Sequence, residues 1–192
     1  MITPRRIIVV VTAASLLAAF VINAIWFAST TGTGRLEPIV GVLGILAGIT
    51  GLFAERWAAA QEARAAALDA IRTELQANGE LLTSAAFGDA PDQPLRRTVY
   101  PRLHLSAVDA AFAGGALSTT RDAELITALH GWRNQVVRFN SQLALAEMLA
   151  FTVESESVLR DLRDGLHGDD GPLTRMRASI EGLLGRLAAA DR

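Results

Sequence analysis

The chain of 192 residues has no cysteine, no lysine and a single tyrosine. Without cysteine there is neither a disulfide framework nor a thiolate metal site. Without lysine there is no Schiff base, and no P-loop, whose phosphate-binding sequence ends in Gly-Lys-Ser/Thr. All 18 basic side chains are therefore arginines. With the abundance of Ala and Gly, this reads as the bias of a GC-rich genome. Charge is also scarce at one end. Residues 1–54 carry only Arg5, Arg6, Arg35 and Glu37, whereas residues 55–192 hold 15 Arg and 19 Asp plus Glu, a net of −4. That acidic balance disfavours a nucleic-acid surface, so no nucleic-acid partner is expected. A hydrophobic content of 51% excludes a disordered chain.

The uncharged end contains two apolar runs. Ile7 to Phe27 is 21 residues long, and as a helix it would reach about 31 Å, close to the ~30 Å hydrocarbon core of a bilayer. Pro38 to Ala54 has 17 uncharged residues and would reach about 26 Å, the short end of the spanning range. The link between them, Ala28 to Glu37, is small, polar and glycine-bearing, and Pro38 suits the first turn of a second helix. The expectation is a two-helix transmembrane hairpin over residues 1–54, with spans at 7–27 and 38–54. A cleaved signal peptide is the competing reading of the first run, with Arg5 and Arg6 as its charged region. It fails at the cleavage position, because Ile22 and Trp26 occupy the −3 sites before Ala24 and Ala28. Arg5 and Arg6 before the first span, and Arg56, Arg64 and Arg72 after the second, outweigh Arg35 in the link. By the positive-inside rule both termini should be cytoplasmic in a bacterial inner membrane, leaving almost nothing outside to bind a ligand.

Within the second span Gly41, Gly44, Gly48 and Gly51 are spaced 3, 4 and 3, and so share one helix face. Such a face lets a neighbouring backbone approach closely. The neighbour would be the first span of the same chain, through Ala14 or Ala18, or a second copy in a homo-oligomer. Asn23, near the outer end of the first run, reads as a residue solvated at the interface.

Residues 55–192 read as an all-helical cytoplasmic bundle, its first helix continuous with the second span. That helix should run to about Ala86, with Trp57 at interface depth and a seam of Leu68, Ile71, Leu75, Asn78 and Leu82. Gln61 and Arg64 continue the seam and spoil it as a clean coiled coil. Gly88 to Pro94 is a loop, and Arg96, Arg97 and Arg102 beside it read as a common charged surface feature, with contact to lipid head groups as the alternative. Ser106 to Asp109 carries a capping signal for a short helix ending at Gly114-Gly115. The strongest periodicity follows. Leu125, Leu129, Trp132, Val136, Phe139, Leu143, Ala146, Ala150 and Val153 are spaced alternately 4 and 3. This stripe is a core face or a partner-binding face, with Thr119 or Thr120 as the expected N-cap. Val158, Leu159, Leu162 and Leu166 carry a shorter pattern, stopped at Gly168 to Pro172. A last helix from Leu173 to about Ala190 presents Leu173, Met176, Ile180, Leu183 and Leu187.

No set of residues assembles a nucleophile with its base. His104, His130 and His167 are far apart, without a ligand partner at i+4. Glu154 with Glu156 and Asp161 with Asp164 alternate with Arg160 and Arg163, as a solvated face does. No catalytic residue, cofactor or metal is therefore expected. Glu74-Leu75-Gln76-Ala77-Asn78, then Leu103 to Leu117 with Gly114-Gly115, then Leu129, Trp132 and Asn140 resemble a pattern in uncharacterised bacterial inner-membrane proteins. Those have one or two N-terminal spans and a helical cytoplasmic domain. The resemblance covers about a third of the chain and implies architecture only. The expected function is a non-enzymatic, membrane-anchored interaction or scaffold protein, whose partners are the bilayer and a second copy or another protein. The alternative is a small oligomeric pore or membrane-perturbing effector controlled by the helical domain. The lack of charge within the spans weighs against it.

Overall fold

In the computed structural model, residues 4–29, 37–88, 99–152 and 155–190 are described. Among them every regular element is helical and no strand forms. The order is α1 (Pro4–Ser29), α2 (Glu37–Thr83), a short 3-10 turn (Ala85–Phe87), α3 (Ser106–Gly114), α4 (Ala123–Thr152), α5 (Glu156–His167) and α6 (Pro172–Ala190). The chain divides into two units, Met1–Ala59 and Ala60–Arg192. The link at 30–36 with Arg35, the loop prolines Pro91 and Pro94, Arg96, Arg97, Val153 and Glu154 lie outside the described residues.

In the first unit most of the described large apolar side chains are exposed. Leu17, Phe20, Ile22, Ile25 and Trp26 on α1 are exposed, as are Leu43, Ile45, Leu52, Phe53 and Trp57 on α2. Gly41–Thr83 is long and apolar enough to cross a membrane, and none of its most apolar stretch is buried. A Cβ placed on Gly41, Gly44, Gly48 or Gly51 meets no atom within 4 Å. Asn23 turns inward on its own helix, where its Nδ2 donates to the Ala19 carbonyl at 2.7 Å.

The second unit is a helical bundle. Leu68, Ile71, Leu75 and Leu82 of α2, Val108 and Ala111 of α3, and the α6 stripe from Leu173 to Leu187 are all buried. Leu125, Leu129, Trp132, Val136, Phe139 and Leu143 of α4 are buried with them. The 4-and-3 spacing has put one helix face against the others, as its period requires. Phe87 closes the far end, stacked on Tyr100 at 5.4 Å and tilted against Phe139 at 6.1 Å.

Three helix ends differ from the sequence expectation. α4 begins after Asp122, whose carbonyl accepts the first helical N–H from Ile126 at 2.8 Å, so Thr119 and Thr120 belong to the preceding turn. At α3 the Ser106 hydroxyl does not cap its own helix. It donates to Glu74 of α2, and Leu105 is the N-cap residue. α2 stops at Thr83 rather than Ala86. There the Arg177 guanidinium of α6 donates to the Leu82 carbonyl at 2.6 Å, the cation-at-C-terminus arrangement that the helix dipole favours.

Candidate functional site

The chemistry-bearing side chains of the bundle gather around one extended stretch, Tyr100 to Ser106. It lacks regular structure until Ser106, so its backbone donors and acceptors need partners from outside. α2 and α4 supply them. Asn78, fully buried on the α2 seam, faces His104. Its Nδ2 donates to the His104 carbonyl at 2.9 Å, and its Oδ1 accepts the His104 N–H at 2.8 Å. Asn140 of α4 does the same to the preceding residue. Its Oδ1 accepts the Leu103 N–H at 3.1 Å, and its Nδ2 donates to the Leu103 carbonyl at 3.0 Å. A carboxamide presents one donor and one acceptor at the spacing of a peptide group. Each asparagine therefore imitates a neighbouring β-strand, and two successive residues are held from two helices.

Two carboxylates continue the pattern on either side. Glu74 lies one helical turn before Asn78. Its Oε2 accepts the Ser106 hydroxyl at 2.8 Å and the Ala107 N–H at 2.7 Å, and its Oε1 the Val108 N–H at 3.4 Å. A negative charge from α2 thus caps the N-terminus of α3, where the helix dipole favours it. Glu147, two turns beyond Asn140 on α4, accepts the Tyr100 N–H at 2.6 Å and pairs through both oxygens with Arg102, at 2.9 and 2.5 Å. The Arg102 hydrogen bonds, reinforced by the Tyr100 N–H and the Arg102 charge, hold the Glu147 carboxyl below the ordinary carboxylate range despite its partial burial. Burial, and then the Glu147 charge, push the Tyr100 phenol above its ordinary value, with Arg163 opposing.

A second polar cluster lies at the other end of the bundle. The Arg64 guanidinium reaches Asp122 through Nη2 at 2.7 Å and Nε at 3.2 Å, and also donates to the Ala190 carbonyl at 3.0 Å. Asp122 in turn accepts the Ser118 N–H at 2.9 Å. Burial pushes the Asp122 carboxyl up, but the Arg64 hydrogen bonds, the Ser118 N–H and the Arg64 and Arg121 charges outweigh it and hold the group low. An open cleft of about 570 Å³ borders this pair between Thr120–Leu125 and Arg186–Ala190.

Neither cluster pairs a nucleophile with a base. His104 is exposed, His130 stacks on Phe112 at 4.2 Å, and His167 ends α5. Among the described residues no three His, Cys, Asp or Glu side chains gather as metal ligands. The α4 stripe stands in the core of the single chain. The four glycines of α2 stand on an open face in the other unit. The sequence singled out Asn78 for its seam position but not Asn140, Glu147 and Arg102 as its counterparts around the extended stretch, nor Asp122 as the partner of Arg64. One signal was present. Glu74, Asn78, Leu103 and Asn140 are among the residues of the pattern singled out in the sequence, and these four meet around the extended stretch. No protein-family model, curated protein or solved structure matches the chain.

Proposed function

We propose that the protein is a non-enzymatic, membrane-anchored interaction module of a bacterial inner membrane. The reading rests on one observation. The apolar part of α2 has its side chains uncovered, while the same unbroken helix supplies Leu68 to Leu82 to the core of the bundle. Exposed Leu, Ile and Phe along an apolar helix are costly in water and at home in lipid. α1 has the same outward apolar character, which supports a second span and a hairpin anchor. The arginine asymmetry supports cytoplasmic termini, with the bundle inside the cell. The clamp supports a structural role for these polar groups, since Asn78, Asn140, Glu74 and Glu147 are engaged by the chain's own backbone, Ser106 and Arg102.

Membrane fractionation of the full-length protein tests the anchor. The protein is expected to stay in the pellet through alkaline carbonate, and reporter fusions after Arg192 to be active only in the cytoplasm. Release by carbonate would remove the anchor from this reading, and a C-terminal reporter active only in the periplasm would reverse its orientation.

A further inference from the structure

We draw no further inference here: the strongest candidate, the open cleft at the start of α4 lined by Arg64, Arg121 and Arg186, carries nothing, because Arg64 is already paired with Asp122 and Arg121 with Gln61 and nothing in the structure shows what would fill it.

Discussion

Trp132 is 1% exposed, and its indole N–H has no hydrogen-bond partner among the described residues. An orphan donor in a core carries a desolvation cost of about 1–3 kcal/mol, which offsets part of what the ring's burial contributes. Two substitutions separate these effects. Trp132→Ala removes the ring and leaves a cavity, and is expected to destabilise by about 3–5 kcal/mol. Trp132→Phe keeps much of the apolar volume and removes the orphan donor, so its cost is expected to be under about 1.5 kcal/mol. Thermal unfolding of the full-length protein in detergent, followed by circular dichroism, measures both. Equal losses in the two variants would mean that the N–H has a partner. That Trp132 lies in the core was legible from its place in the α4 stripe. Its unpaired N–H was not, because periodicity says which way a side chain faces and nothing about what its polar atom meets.

At the scale of elements, the sequence was legible where spacing repeats. The α2 seam from Leu68 to Leu82, the α4 stripe from Leu125 to Leu143 and the α6 stripe from Leu173 to Leu187 each follow a helical period and are buried, while Ala146 and Ala150 further along α4 are half-buried. The clamp left no such trace. Asn78 and Asn140 bond to main-chain groups 26 and 37 residues away, and a pairing between one side chain and a distant backbone has no periodicity to read. The α3 cap was misread for the same reason. A local Ser106 signal stood in the sequence, while the carboxylate that meets the helix end came from α2. The clamp is nonetheless expected to matter for stability. Asn78→Leu or Asn140→Leu leaves one N–H and one C=O of the extended stretch without a partner, and each is expected to cost about 1–3 kcal/mol. Because the two asparagines hold adjacent residues, releasing one frees the stretch to turn towards water. The double variant is therefore expected to cost less than the sum of the singles, with a coupling of about 0.5–3 kcal/mol in a double-mutant cycle. Strict additivity would show that the two amides act on separate structures.

At the scale of the whole molecule, two pairs fasten chain segments that are distant in sequence, and the two units answer to different tests. Arg64, Asp122 and the Ala190 carbonyl join α2, the start of α4 and the end of α6, and Glu147 joins α4 to Arg102. Both carboxyls are held below their ordinary values, so the unfolded chain takes up protons at a higher pH than the folded one. Their contribution is then complete above about pH 5 and is lost as the pH falls through the lowered values, below about pH 4. The melting temperature of the bundle is expected to be flat from pH 7 to 5 and to drop below pH 4. In Asp122→Asn part of that drop should vanish, at the cost of removing the carboxylate charge opposite the buried Arg64. A melting curve equally stable at pH 3 and pH 7 would remove these pairs from the account. The glycines of α2 call for a different measurement. A Cβ on Gly44 or Gly48 meets nothing within 4 Å, so a leucine there encounters no clash within the described chain. Gly44→Leu and Gly48→Leu are therefore expected to insert and melt as the parent does, within about 0.5 kcal/mol. If the face serves close approach between copies, the loss falls on association, because the added side chains hold two backbones apart. The expected readout is loss of crosslinks between the second spans of two chains, with membrane insertion unchanged. A lowered melting temperature in a protein that is monomeric throughout would instead place the first span on that face.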